Sequence, residues 1–150
     1  MIRDDLRLDP PVQVPFDGIF ADLDIAPFEF FLAGSRYMGM ARPDSDWDFL
    51  AQDSVPTRNH LTRIGFRSMV QGYYDISVES NTSHIYEYKG PEGLKVQVQL
   101  QRDVQKQRAV RDIIKTYMLE AHTNMNRYER EDLWNGLYWY LSMKGSGRAL

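Results

Sequence analysis

The chain has 150 residues, of which 43% are hydrophobic, 13% aromatic and 26% charged, a size and apolar content that predict one folded domain and exclude a disordered chain. Its 18 Lys and Arg against 21 Asp and Glu give a net charge of -3, which excludes a chain-wide basic field for nucleic acid. With no cysteine there can be no disulfide framework, thiolate zinc site, iron–sulfur cluster or cysteine nucleophile.

The opening Met1-Ile2-Arg3-Asp4-Asp5-Leu6-Arg7 is charged, and no apolar run reaches membrane-spanning length, so a soluble, cytoplasmic protein without membrane contact is expected. No repeat or Gly/Ser linker divides the chain. Residues 1–150 are expected to form a single domain, its core over about 28–101 and two C-terminal helices over about 103–145.

After Pro10, Pro11 and Pro15, the apolar spacing of Phe16 to Leu23 predicts a short helix. Phe28 to Ala33, aromatic-rich and closed by Gly34, predicts a buried strand ending in a tight turn, and Ser35 to Met40 a helical turn. Trp47 to Ala51 reads as a second strand, and Pro56 to Ile64 as a helix that Gly65 terminates. Ile85 to Lys89 and Leu94 to Gln101 read as strands joined by the hairpin turn Gly90-Pro91-Glu92-Gly93. In the second of them Leu94, Val96, Val98 and Leu100 share one face and Lys95, Gln97, Gln99 and Gln101 the other, the pattern of a half-buried strand.

Beyond a cap at Asp103, Val110, Ile113, Ile114, Tyr117, Met118 and Ala121 recur at helical spacing and predict the packed stripe of a long helix. A final helix starts where Asn126 and Glu129 form a capping box, buries Leu133, Trp134, Leu137, Tyr138 and Leu141, and stops at Gly145. The fold class is α+β, a mixed β-sheet with flanking helices.

The chemistry concentrates between Phe31 and Leu50. Gly34 lets the backbone turn closely after a strand, and Ser35 stands at a helix start, where free N–H groups favour a phosphate. Asp46 and Asp48 are two apart at a strand entry, so both carboxylates face the same way. Mg2+ is held by one or two carboxylates with substrate phosphates completing its shell, which such a pair beside a phosphate cradle would supply.

Gly34-Ser35, ten residues (36 to 45), then Asp46-Trp47-Asp48 resembles the signature of the DNA polymerase β-type nucleotidyltransferase superfamily, over roughly Phe28 to Gln101. The resemblance implies a nucleotidyltransferase-like sheet with flanking helices, two Mg2+ (or Mn2+) ions, and transfer of a nucleoside monophosphate from an NTP to an acceptor hydroxyl. It makes Gly34 and Ser35 phosphate-contacting residues and Asp46 and Asp48 catalytic metal ligands. The acceptor would be a small molecule, a protein side chain or an RNA end, with a protein partner or a second copy of the chain contributing to its choice.

The sequence departs from that pattern in one place. Where the superfamily has a third carboxylate between apolar residues, this chain offers Val96-Gln97-Val98 and Val98-Gln99-Leu100. Glutamine coordinates through its carbonyl oxygen but cannot take a proton near neutral pH. Either a carboxylate elsewhere substitutes, Glu87 first and Glu79 second, or the chain is a catalytically impaired relative that acts by binding a partner protein.

Arg36 and Arg42 flank the cradle, where a guanidinium could clamp phosphate oxygens. Arg108, Arg111 and Lys115 lie along one face of the long helix, with Arg102 and Lys106 near its start, and read as a solvated stripe or, alternatively, as a patch that steers a nucleotide or an RNA end. His60, His84 and His122 are too scattered for a metal site, and Trp139 and Tyr140 read as core or interface aromatics. Asp22-Leu23-Asp24 has the same spacing as the candidate pair without its surroundings and reads as surface. Asp44, Asp46 and Asp48 mimic the opening of a calcium loop, but Phe49 and Val55 stand where that loop needs Gly and Glu.

Overall fold

A computed structural model describes residues 14–69, 82–121 and 125–145. Its elements are α1 (Gly18–Leu23), β1 (Phe31–Ala33), α2 (Gly34–Met38), β2 (Trp47–Gln52), α3 (Val55–Arg63), β3 (Arg67–Ser68), β4 (Thr82–Lys89), β5 (Lys95–Gln101), α4 (Val104–Ala121) and α5 (Arg127–Gly145). The five strands form one sheet in the order β1-β2-β5-β4-β3. Only β2 and β5 run parallel; the other neighbours are antiparallel. The mixed α+β architecture expected from the sequence is the one observed.

Alternation in β2 and β5 divides the sheet into two faces. Phe49 and Ala51 of β2, Val96, Val98 and Leu100 of β5 and Tyr86 of β4 form the main core with Ile19, Phe20 and Leu23 of α1 and Leu61 of α3. The opposite face carries Asp48, Gln97, Glu87 and Arg67, which stand in one cross-strand row through successive register pairs. This second face is covered further along the strands, where Val104 of α4 packs on Ala33 and Leu50. The face expected to be solvated is therefore partly closed: Gln97 and Gln101 are buried, and Gln101 bonds with Thr82 across the sheet.

Local chemistry sets the ends of the elements. Ser54 caps α3 by accepting from the Thr57 N–H at 3.2 Å. The helix stops in a Schellman arrangement, with Gly65 N–H donating to Thr62 O and Phe66 N–H to Leu61 O while Gly65 takes φ +104°. Asn126 and Glu129 exchange side-chain to backbone hydrogen bonds, both 3.0 Å, as the capping box predicts. Asp103 accepts from the Lys106 N–H at the start of α4.

Two expectations about α4 are corrected. Val110, Ile114 and Met118 are buried against Met38, Met40 and the Leu133-Trp134-Leu137-Leu141 side of α5, but Ile113 and Tyr117 are exposed. The buried face is rotated toward Gln107 and Arg111, so the basic stripe is not simply solvated: Arg111 is buried, donates to Leu32 O and lies 4.2 Å from the Tyr37 ring. Arg108 likewise stacks on Phe31 at 3.8 Å, and Lys115 lies 4.1 Å from Tyr37. Trp139 and Tyr140 are exposed rather than core. The first strand is shorter than expected, starting at Phe31, and β3 has no counterpart in the sequence reading. The side chains of Ala121 and Tyr138, together with Glu79 and His122, lie outside the described residues.

Candidate functional site

The site forms where β1 passes into α2 beside the start of β2. Ala33 is in register with Asp48, so the turn at Gly34 meets the aspartate directly. Gly34 has φ +68°, and a Cβ there would lie 2.9 Å from Asp48 Cγ and closer still to Oδ2. Any side chain at position 34 would displace the carboxylate, so both the backbone angle and the close approach select glycine. Ser35 follows in α2, whose C-terminal end closes with Gly39 at φ +75° and Met40 N–H donating to Ser35 O at 2.9 Å. Gly34 and Asp48 are thus brought together, with Ser35 next in the chain.

Asp48 is the most perturbed carboxylate of the group. Burial, then the charge of Asp46, raise its pKa to about 6, against the opposing pull of Lys95 and Arg36. Strand alternation puts Asp46 on the same side, and Asp46 Oδ2 lies 3.5 Å from Lys95 Nζ.

Arg36 points to the loop before β2. Its Nη2 donates to Ser45 O at 2.7 Å and Pro43 O at 3.2 Å, and its guanidinium lies 4.0 Å from the Trp47 ring centroid. Burial lowers its pKa, offset in part by Asp48, Asp46 and Asp44. The residue expected to clamp phosphate is therefore engaged in bracing the segment that delivers Asp46. Arg42 is exposed, and its N–H donates to Ser45 Oγ in the same turn.

Gln97 stands in register with Asp48 on one side and Glu87 on the other. Its Nε2 donates to Glu87 Oε2 at 3.1 Å. Glu87 is buried, which by itself raises its pKa, but the Gln97 hydrogen bond and the charges of Lys95 and Lys89 outweigh burial and hold the carboxyl below its ordinary value. Lys95 Nζ lies 3.4 Å from Glu87 Oε2, and Lys89 Nζ 3.6 Å from Glu87 Oε1. Desolvation lowers the pKa of Lys95, but Asp46 and Glu87 more than reverse this and raise it. Glu87 is thus two strands from Asp48, roughly 9–10 Å at the usual strand spacing, and joined to the aspartates through Lys95 and Gln97.

Among the described residues no three His, Cys, Asp or Glu side chains are grouped to hold a metal ion. Strand β5 separates the aspartate pair from Glu87, and the Lys95 ammonium bridges them. Sequence reasoning missed Lys95: alternation put it on the face of Gln97, but its partners depend on the register of β5 with both neighbours. Asp22 and Asp24 are exposed, as expected. His60 is buried, stacked on Phe28 with ring centroids 4.3 Å apart, and His84 Nδ1 is 3.9 Å from Asp53.

A separate cavity of about 390 Å³, lined among others by Phe28, Phe31, Gln52, Ser54 and Val104, lies toward the Gln52 end of β2, away from Asp46. No helix among the described residues is long and apolar enough to cross a membrane. No protein-family model, curated protein or solved structure matches the chain.

Proposed function

We propose that the chain transfers a nucleoside monophosphate from an NTP to an acceptor hydroxyl with Mg2+ or Mn2+, the activity of the nucleotidyltransferases that its Gly34-Ser35 and Asp46-x-Asp48 resemble. The observation that carries this reading is the seating of Asp48 against the bare backbone of Gly34, with Asp46 two residues earlier on the same face. The two carboxylates fit one such ion, since Mg2+ takes one or two carboxylates and leaves its other positions to water and phosphate. The raised pKa of Asp48 supports this, because burial and Asp46 disfavour its charge and a cation would relieve both. When bound, the ion neutralises phosphate oxygens.

In the reaction the acceptor oxygen bonds to the α-phosphorus as the bond to the pyrophosphate oxygen breaks, and the acceptor proton leaves to solvent. Asp46 and Asp48 hold the charge of the site, Gly34 leaves room for the Asp48 carboxylate with Ser35 next to it as the phosphate contact, and Arg36 keeps the 43–45 segment and Trp47 in place. Glu87 acts on Lys95 and Gln97 and positions them, rather than reaching the acceptor. The acceptor is a small molecule, a protein side chain or an RNA end in the cytoplasm, with a partner protein or second copy helping to select it. The net charge of -3 favours none of the long nucleic acids.

The test is binding and turnover of labelled NTPs with Mg2+ or Mn2+ across these acceptor classes. Metal-dependent NTP binding and pyrophosphate release, both lost in Asp46→Asn/Asp48→Asn, are expected. A folded wild type that binds no NTP in a metal-dependent way overturns the reading. One observation favours a second reading, a binding protein that has lost turnover: the neutral Gln97 stands directly beside Asp48. That reading expects metal-dependent NTP binding without pyrophosphate release from any acceptor, and turnover on restoring Gln97→Asp.

A further inference from the structure

The charges around the aspartate pair are unequally matched. Lys95 is placed by β5, two residues before Gln97, and its Nζ lies 3.5 Å from Asp46 Oδ2 and 3.4 Å from Glu87 Oε2, a bridge between the pair and the next carboxylate. Its side chain is 31% exposed, so the ammonium sits at the mouth of the row rather than in open solvent. Beside Asp48, where a shared carboxylate would be needed to hold a second divalent ion, Gln97 presents an uncharged amide whose nitrogen is already committed to Glu87. A second ion would meet a neutral ligand there and an ammonium already paired with Asp46.

We propose that Lys95 supplies from within the chain the positive charge that a second divalent ion would otherwise bring, so that the site takes a single metal ion. The inference rests on the reading of Asp46 and Asp48 as metal ligands. It assigns Lys95 a charge-balancing and positioning role: it neutralises the outer side of Asp46 and links it to Glu87, while the remaining carboxylate oxygens of the pair serve the one ion. Gln97 and Lys95 act together, the first by withholding a negative charge and the second by filling the place with a positive one.

The probe is Mn2+ alone, titrated into the full chain and followed by the paramagnetic resonance signal of the free ion, which gives both stoichiometry and affinity. Wild type is expected to bind one Mn2+. Lys95→Met removes the competing charge and should tighten that binding at least about tenfold, since a neighbouring unit charge commonly shifts carboxylate equilibria by a unit or more. Lys95→Met combined with Gln97→Asp should bind two ions. No Mn2+ on wild type overturns the metal reading itself, whereas two ions on wild type overturn this inference and leave that reading standing. Unchanged or weaker binding in Lys95→Met shows that the lysine holds structure rather than charge balance, and likewise overturns the inference. Should the double variant not fold, the affinity of Lys95→Met decides alone.

Discussion

Asp48→Asn removes a charge that the fold holds unfavourably. Burial and Asp46 place the Asp48 pKa at about 6 in the folded chain, against an ordinary value of 3.8. Between those values the folded state keeps a proton that the unfolded chain has released, so the folded state binds more protons and stability falls as pH rises through this window. Above pH 6 the loss is complete. Two units correspond to about 3 kcal/mol at most, since one unit is ~1.4 kcal/mol.

The asparagine variant has no such titration. In EDTA at pH 8 it should be more stable than wild type by about 2 kcal/mol, or roughly 6 °C in melting temperature at this chain length, once some loss of fit is allowed. The advantage should shrink to nothing at pH 4. Added Mn2+ should then raise the melting temperature of wild type and leave the variant unmoved. The assay is thermal unfolding at pH 4, 6 and 8, with EDTA and with Mn2+. A variant less stable than wild type by the same amount at every pH would refute the reasoning, because the carboxylate would then be a net contributor and not a strained charge.

Gly34→Ala should destabilise the chain by more than about 2 kcal/mol, from its left-handed backbone and its collision with Asp48 together. In Gly34→Ala/Asp48→Ala the clash with the carboxylate disappears while the 3.0 Å approach to the residue-48 Cβ remains, so denaturant melts should recover part of the loss; strictly additive effects would contradict the close approach. Glu87→Gln should cost about 1.5–3 kcal/mol at pH 7, the range for hydrogen bonds to a charged group. Its effect has the opposite pH sign to that of Asp48: the stability from Glu87 is present above its ordinary pKa and lost as pH falls through its lowered folded value, so the variant and wild type should converge in acid. Urea titrations at pH 7 and pH 3 check this, and a gap that widens in acid goes against it.

Local patterns were legible where neighbours in sequence decide the outcome. The alternation of Val96, Val98 and Leu100 gave the core face of β5, and Asn126 with Glu129 gave the start of α5. Asp46 and Asp48 share a face because period two requires it, and Gly34 meets Asp48 because β1 and β2 are joined through one short helix and turn. What was not legible depends on contacts distant in sequence. The side of α4 that is buried was misjudged because Ile113 and Tyr117 fit the same apolar period as Ile114 and Met118, and only the packing of the sheet selects Arg111 instead. The bridge from Lys95 to Asp46 needs β5 to lie parallel to β2 in one register, which no local spacing announces. The two-residue β3 has both residues exposed and so leaves no hydrophobic trace.

The hydrogen bond from Arg111 to Leu32 O bears on the edge of the sheet. Strand β1 is an edge of the sheet, and an edge with free carbonyls is a template on which another chain can lay a strand. Here the edge is three residues long, and its middle carbonyl is taken by a guanidinium from α4. The long helix therefore guards the flank of the sheet nearest the aspartates as well as packing on it. A lesion that loosens α4 would expose that flank, and self-association through β1 is the failure expected first.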